Sequence, residues 1–332
     1  MKTVLSGIRP TGNLHLGNYF GALINFLKMQ EENRCYFFIA DWHSLTTHPD
    51  PRMLHVNVRN VLSEYLACGL DPEKVTLYIQ SDVPEIAELY LLLNMHAYLG
   101  ELEKTVSFKE KARQNPDNVN AGLLTYPVLM ATDILIHNAD YVPVGKDQEQ
   151  HLEMTRNYAA RFNHKYGVEY FKQPTAYNFG QELIKIPGLD GSGKMGKSEG
   201  NCIYLTDKPE EIEKKVKKAL TDSGPEGLNA PKPDCIENLF TIMNVVSSPE
   251  TFRHYDDLWN RAEIRYGDFK KQLAEDIIKI TTPIREQINE IKNNDPLLHK
   301  ITREGAEKAR ESASKTLRDV REIMGFKSFA SL

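Results

Sequence analysis

Apolar and polar positions follow two alternating patterns in the first half of the chain. Short continuous apolar runs, which are typical of buried parallel strands, occupy 3–5, 35–40, 75–80 and 141–144. Apolar positions at helical spacing fill the stretches between and after them, over about 16–27, 51–69, 84–99, 123–136 and 148–166. Strands that alternate with helices predict a doubly wound parallel sheet of the α/β class.

The pattern changes near Thr206, beyond which the chain is mostly amphipathic helix. Helices are predicted over 208–220, 235–246, 249–262, 266–293 and 301–324. We therefore expect two domains, a Rossmann-like domain over 1–205 and an all-helical domain over 206–332. Within the first domain, residues 103–121 are rich in Asn, Gln and Lys, which predicts a surface insertion or a mobile loop.

The composition excludes several classes of protein but does not identify a function. The 332 residues are 41% hydrophobic and 26% charged, as in ordinary globular proteins, and the longest apolar runs are too short to span a bilayer. Met1-Lys2 leads directly into the first strand and leaves no room for a signal peptide, so we expect a cytoplasmic protein. The net charge of −5 argues against indiscriminate nucleic-acid binding but leaves room for a local basic face. The four cysteines are widely separated and indicate neither a zinc site nor a disulfide framework.

The turn after the first strand carries the first candidate chemistry. Pro10 and Gly12 break the chain, and Asn13 is predicted to cap the following helix. His15 and Asn18 are three residues apart, so we expect them to share a face of the first helical turn. A helix N-terminus with free N–H groups is a site for phosphate, although a capped amphipathic helix explains this short pattern equally well.

A second candidate lies at the end of the irregular, glycine-rich segment 171–198. It reads Lys194-Met195-Gly196-Lys197-Ser198. Two lysines on a mobile loop can close over the negative charge that builds on a departing pyrophosphate. The simpler interpretation is a flexible basic loop.

Together the two segments resemble the paired signatures of the class I aminoacyl-tRNA synthetases. The first is His15-Leu16-Gly17-Asn18, whose final Asn is common in the tryptophanyl branch, and the second has Gly196 where a Ser is usual. Three further segments resemble elements of tryptophanyl-tRNA synthetases: Phe108–Lys111, Leu124–Leu135 and Gly145-Lys146-Asp147-Gln148, the last with Lys146 in place of Glu. The resemblance covers essentially the whole chain, most weakly after residue 200, and the chain is identified as a member of the bacterial-type tryptophanyl-tRNA synthetase family.

The resemblance implies that L-tryptophan is activated with ATP, that pyrophosphate is released, and that tryptophan is transferred to tRNA(Trp). The implied catalytic residues are His15, Asn18, Lys111, Lys194 and Lys197. The implied ATP contacts are Arg9 (often a Gln in the family), Pro10, Thr11, Gly17, Asn18, Gly145, Lys146, Asp147, Ile186, Lys194, Met195, Gly196, Lys197 and Ser198. Mg²⁺ is expected to enter with ATP, because no dedicated carboxylate cage is visible.

The implied tryptophan contacts are Asp133, Tyr126, Met130, Gln148 and His43. Asp133 is the specificity residue, since its carboxylate would accept the indole N–H, a donor that phenylalanine lacks. Each residue also has a structural interpretation. Asp133 could cap or pair locally, Met130 and His43 could fill the core, and Lys111 could be a solvated surface charge.

The family also implies partners. A homodimer is expected, with tRNA bound by basic residues of the helical domain: Lys214, Lys215, Lys217, Lys218, Lys308, Arg310, Lys315 and Arg318. These cations could equally be the solvated faces of amphipathic helices. Three alternatives stay open: a tyrosyl-tRNA synthetase, a related protein that binds tRNA or a nucleotide without catalysis, and a nucleotidyltransferase of the same superfamily.

Overall fold

In the computed structural model, which describes residues 1–145, 148–177, 185–197 and 199–327, one parallel sheet organises the first half of the chain. The strands are β1 (Thr3–Ile8), β2 (Arg34–Ile39), β3 (Val75–Ile79), β4 (Tyr141–Val142) and β5 (Thr175–Ala176). Their order is β3-β2-β1-β4-β5, and every pair is parallel. The predicted α/β class is confirmed.

Helices connect and cover the strands. The first half contains α1 (Leu16–Asn18), a π-helical segment (Tyr19–Leu23), α2 (Ile24–Glu32), α3 (Asp41–Ser44), α4 (Pro51–Ala67), α5 (Glu85–Asn94), α6 (Leu99–Leu102), α7 (Val106–Gln114), α8 (Ala121–Leu124), α9 (Tyr126–Ile136) and α10 (Glu149–Tyr166). The second half contains α11 (Pro209–Lys217), α12 (Asp234–Val246), α13 (Pro249–Asn260), α14 (Tyr266–Lys292) and α15 (Asp295–Ile323). In the described part of the chain, no helix is long and apolar enough to cross a membrane.

The strand order creates a crevice at one edge of the sheet. β1 lies between β2 and β4, so the chain winds in opposite directions on its two sides. Ligands bind at the carboxyl ends of the strands where this reversal occurs. Here those ends lead into residues 9–15 after β1 and residues 143–145 after β4.

Alternate strand residues feed two hydrophobic cores, as the twofold period of a strand requires. Val4, Phe37 and Leu77 enter a core that continues into α4, α11, α12 and α14, whereas Leu5 and Tyr78 enter a core with α5, α9, α10 and α15. The helical region after residue 206 therefore packs on both faces of the sheet. α15 crosses β3 so closely that a Cβ at position 305, now Gly305, would collide with the Leu77 carbonyl.

Three local predictions differ from the structure. The segment 103–121 lies on the surface as expected, but α7 and a short 3₁₀ turn (Pro116–Asn118) occupy most of it, and Val106 N–H donates to Gln150 Oε1 at 3.0 Å. The single helix predicted over 123–136 is divided at Thr125, before the Pro127 turn that begins α9. α15 starts at Asp295 rather than at 301, because Asn294 caps it by accepting from Leu297 N–H.

Candidate active site

The turn after β1 ends in a helix cap that differs from the prediction. His15, not Asn13, is the N-cap residue, with an extended backbone and its N–H donating to Asn18 Oδ1 at 3.1 Å. His15 and Asn18 are therefore in direct contact at the start of α1, as its N-cap and N3 residues. Asn13 is used elsewhere: its amide donates to Thr206 Oγ1 at 3.0 Å and its oxygen accepts from Asn60.

The His15 imidazole folds over Gly17. A Cβ at Gly17 would lie 2.9 Å from two atoms of the ring, so glycine is needed for this packing. Burial, together with the positive charges of Lys197 and Lys194, lowers the pKa of His15 to about 4. At neutral pH the ring is uncharged, and its buried Nδ1 has no hydrogen-bond partner among the described residues. A neutral imidazole in this position can form one hydrogen bond to a ligand.

The second signature contacts the first directly. Lys197 Nζ donates to the Gly12 carbonyl at 2.9 Å, and Met195, which is fully buried, packs next to Gly17. Burial lowers the pKa of Lys197, and the nearby Glu64 opposes this. Lys194 is exposed. The lysine that reaches the turn is thus partly desolvated, which strengthens its electrostatic effect on a bound anion.

A short antiparallel bridge joins the chain beyond the second signature to the first. Leu16 N–H donates to the Ile203 carbonyl at 3.0 Å, and Leu205 N–H donates to the Leu14 carbonyl at 3.0 Å. Ile186 lies in the core, and its carbonyl accepts from Met195 N–H at 2.8 Å. The two motifs, which lie far apart in sequence, therefore form one structural unit.

A cavity of about 290 Å³ opens at the reversal point between β1 and β4. Its lining includes Gly7, Asn18 and Gly145. In the turn after β1, Arg9 Nη2 donates to Thr47 Oγ1 at 3.4 Å, Pro10 is buried and Thr11 is exposed. Three predicted ATP contacts fall outside the described residues: Lys146, Asp147 and Ser198.

Asp133 is the centre of a second buried polar group. Its carboxylate lies 2.7 Å from His43 Nε2 and accepts from Gln80 Nε2 at 2.8 and 3.0 Å. His43 follows β2 and Gln80 follows β3, so the carboxyl ends of two strands hold the carboxylate of α9. Burial raises the pKa of Asp133, and the bonds from His43 and Gln80 oppose that shift. The Asp133 carboxylate is therefore paired within the protein, with side chains that are distant in sequence.

An aromatic and cationic shell surrounds this group. The Tyr126 ring lies edge-on to His43, with centroids 4.6 Å apart, and Lys111 Nζ lies 4.8 Å above the Tyr126 centroid. Burial lowers the pKa of Lys111, and the charge of Arg9 lowers it further. Lys111 is therefore partly buried against the Tyr126 ring. Gln148 Oε1 lies 3.0 Å from Nδ1 of His151, whose ring is 5.7 Å from that of Tyr126.

The structure thus brings most predicted residues into two adjoining groups. The charge of Arg9, on the turn after β1, lowers the pKa of Lys111 and opposes the rise that burial causes in the pKa of Tyr126. Met130 is partly buried and packs against the core of α9. Sequence reasoning missed Gln80 and His151. A polar residue immediately after the apolar run 75–79 was the available signal for Gln80, because strand ends carry ligand contacts in this fold. Among the described residues, no group of His, Cys, Asp or Glu side chains could hold a metal ion.

Comparison with known proteins places these features in a family. A sequence model of the family "tRNA synthetases class I (W and Y)" matches residues 1–282. The chain is 64% identical over 327 residues to a tryptophan–tRNA ligase of Porphyromonas gingivalis, covering 98% of this chain and 100% of the relative. It is 42% identical over 330 residues to a tryptophan–tRNA ligase of Clostridium tetani, with 98% and 96% covered.

The chain is also similar to solved structures. The tryptophanyl-tRNA synthetase of Campylobacter jejuni, complexed with ADP and tryptophan, superposes with a TM-score of 0.88 at 34% identity, over 97% of this chain and 99% of that one. The tyrosyl-tRNA synthetase of Archaeoglobus fulgidus superposes with a TM-score of 0.66 at 19% identity, over 86% and 90%. The second similarity concerns the fold alone.

Proposed function

The chain belongs to the tryptophanyl and tyrosyl family of class I tRNA synthetases, and we infer that it is a tryptophan–tRNA ligase. It binds ATP, activates L-tryptophan to tryptophanyl-adenylate with release of pyrophosphate, and transfers tryptophan to tRNA(Trp). The observation that carries the choice of tryptophan is the fully buried Asp133 carboxylate, held by His43 and Gln80 at the carboxyl ends of two strands.

We propose that Asp133 accepts the indole N–H. A carboxylate has about four lone-pair sites, and His43 and Gln80 leave capacity for another donor. A buried acceptor without a donor is costly, so a site of this kind discriminates strongly against an amino acid that lacks the N–H. Tyr126 and Met130 would contact the ring, and Gln148 would lie near the substrate amino group.

We propose that the nucleotide occupies the crevice between β1 and β4. The tryptophan carboxylate attacks the α-phosphate, and the bond from that phosphorus to the bridging oxygen of pyrophosphate breaks. Lys197 and Lys194 would stabilise the charge that develops on the leaving pyrophosphate, and the neutral His15 would donate a hydrogen bond to phosphate. Mg²⁺ would enter with ATP. When bound, it would neutralise phosphate charge.

We propose that the partner on one exposed apolar face is a second copy of the chain. Leu91, Met95 and Leu99, at the end of α5 and the start of α6, are 55%, 69% and 59% exposed. Clustered exposed apolar side chains mark interaction surfaces, and twofold dimers are the commonest oligomers. Replacing Met95 and Leu99 with Glu should produce monomers in sedimentation, whereas the control Leu228→Glu, at a 74% exposed position elsewhere, should not. A dimer that survives both changes would contradict the assignment of this face.

We propose that α11 contributes to tRNA binding in the cytoplasm. Lys214, Lys217 and Lys218 are exposed there, whereas Lys215 pairs with Asp207. On α15, Arg310 donates to the Asp82 carbonyl and Arg318 lies near Asp319, so those two cations are partly engaged within the chain. Clustered exposed lysines can bind phosphates in a protein of negative net charge.

The function is tested by amino-acid-dependent ATP–pyrophosphate exchange, followed by tRNA charging with each amino acid in turn. Tryptophan should support both reactions, and tyrosine should support neither at comparable rates. Exchange with tyrosine would favour the tyrosyl branch. Tight binding of tRNA or ATP without any exchange would favour a non-catalytic protein.

A further inference from the structure

Helix α4 places two polar side chains beneath the turn that follows β1. Asn60 and Glu64 lie one helical turn apart on the same face. Asn60 Nδ2 donates to Asn13 Oδ1 at 3.1 Å, and Leu14 N–H donates to Glu64 Oε2 at 2.8 Å. Two side chains of α4 therefore hold the turn directly before His15, one by a hydrogen bond to a side chain of the turn and the other by a hydrogen bond to its main chain.

The Glu64 carboxyl group is completely buried. Its second oxygen, Oε1, has no hydrogen-bond partner in the described part of the chain. Two cations act on it, Lys197 of the second signature and Lys292 at the end of α14. A buried carboxylate with a single hydrogen bond costs free energy, and an apolar side chain would cost less here. The position therefore points to a role beyond packing.

Lys197, on the second signature, contacts the same turn. Its Nζ donates to the carbonyl of Gly12, two residues before Leu14. Burial lowers the pKa of this lysine, and the charge of Glu64 is the main influence that opposes the shift. Glu64 thus supports Lys197 in two ways, by fixing the turn that Lys197 binds and by favouring its charged form.

We infer that Glu64 is a positioning residue for adenylate formation: its carboxylate fixes the Gly12–Leu14 turn and keeps the Lys197 ammonium group in place on that turn. The inference rests on the proposed function, in which Lys197 stabilises the departing pyrophosphate. Glu64 acts through Leu14 and Lys197 and takes no part in the bonds that form or break.

The ionisation of Glu64 gives the inference a pH signature. Burial raises the pKa of Glu64 to about 7, against the effects of the Leu14 N–H and the two lysines. The other titratable groups near it are neutral at that pH, because burial raises the pKa of Tyr65 and of Cys68 on α4, and burial lowers the pKa of His15 to about 4. Tryptophan activation should therefore rise as the pH increases through about 7, since only the ionised carboxylate attracts Lys197.

The test compares Glu64→Gln with Ser63→Ala, a matched control at the adjacent and equally buried position of α4. The Ser63 hydroxyl donates to the Arg59 carbonyl within its own helix. Tryptophan-dependent exchange is measured with the full-length protein between pH 6 and pH 9. We expect E64Q to lower kcat by about tenfold, to leave KM for tryptophan unchanged, and to remove the rise near pH 7. Ser63→Ala should change none of these.

Thermal stability separates positioning from packing. Because the pKa of Glu64 is raised on folding, the folded protein loses stability as the pH rises from the unfolded value to about 7. E64Q should therefore melt at or above the wild-type temperature at pH 8 while its kcat is lower. A lower melting temperature that accounts for the lost activity would overturn the inference.

A double-variant cycle tests the route through Lys197. If Glu64 acts through that lysine, Glu64→Gln should have little effect in a Lys197→Ala background. Additive losses would overturn the inference, as would a Glu64→Gln protein with the wild-type kcat and pH profile. Absence of tryptophan-dependent exchange in the wild type would instead contradict the proposed function. In that case, hydrogen–deuterium exchange at the Leu14 amide tests the positioning role without catalysis. The amide should exchange faster in Glu64→Leu than in Ser63→Ala, and equal rates would overturn the positioning role.

Discussion

Replacing Asp133 with Asn tests tryptophan recognition with almost no change in volume. In the wild type the carboxylate is bonded to His43 and Gln80 and can still accept the indole N–H. An Asn amide has one acceptor oxygen and one donor NH₂ group. In either orientation the NH₂ group replaces an oxygen that accepts from Gln80 Nε2, so a donor faces a donor there and the charge that would hold the indole N–H is lost.

The size of the effect follows from these contacts. Loss of a hydrogen bond to a charged acceptor costs about 1.5–3 kcal/mol, and a buried donor left unpaired costs about 1–3 kcal/mol more. Each factor of ten in rate corresponds to about 1.4 kcal/mol. We therefore expect Asp133→Asn to lower kcat/KM for tryptophan by about two to four orders of magnitude.

The assay is tryptophan-dependent ATP–pyrophosphate exchange, with Thr132→Val as the matched control. Thr132 is equally buried on α9, and its hydroxyl donates to the Val128 carbonyl of the same helix. Burial raises the pKa of Asp133, so its ionisation opposes folding as the pH rises above the ordinary value. Asp133→Asn should therefore melt no lower than the wild type at pH 8. A folded variant that activates tryptophan within about tenfold of the wild type would refute the indole contact.

Three further predictions concern the loop and the tRNA. Lys197→Ala should lower the exchange kcat by about a hundredfold and leave tryptophan affinity, measured by equilibrium binding, nearly unchanged; an effect confined to tryptophan binding would contradict this. Gly196→Ser should keep near-normal exchange, because its Cβ would meet the far end of the exposed Glu199 side chain and no backbone atom; a large loss of exchange would show that glycine is required. Replacing Lys214 and Lys218 with Ala should weaken tRNA charging and its salt dependence without changing exchange, and unchanged charging would show that α11 does not bind tRNA.

The sequence predicts best the elements that bury an apolar face. The runs at 35–40 and 75–80 are apolar because both faces of β2 and β3 are covered, and the structure places the two strands within a residue of the predicted bounds. β5 was missed since it has only two residues and follows Pro174. α7 was missed because it buries none of its residues, so it has no apolar periodicity to detect.

The cap of α1 shows how tertiary contacts override local preference. Asn13 is the better intrinsic cap, but Asn60 and Thr206 engage its side chain, and the helix starts two residues later. Neither partner could be identified from the sequence near Asn13. Gln80 and Glu64 were overlooked for a related reason. Each is one polar residue beside apolar neighbours, and its function follows only from which distant side chain or backbone group it meets.

The loop at Gly196 bears on whether the chain is catalytic, since this departure from the usual Ser is the one feature that favoured a non-catalytic relative. In the structure, the Gly196 N–H donates to Asn201 Oδ1 at 2.8 Å, a main-chain bond that any residue at this position could make. The Asn201 amide in turn donates to Asp190, Ser192 and the Lys194 carbonyl. The path of the loop is therefore set by Asn201 and by the Met195–Ile186 bond, not by a side chain at position 196. With the loop in this position, Lys197 donates to the Gly12 carbonyl. The missing Ser hydroxyl therefore does not affect the placement of this lysine, and Gly196 is not an argument against catalysis.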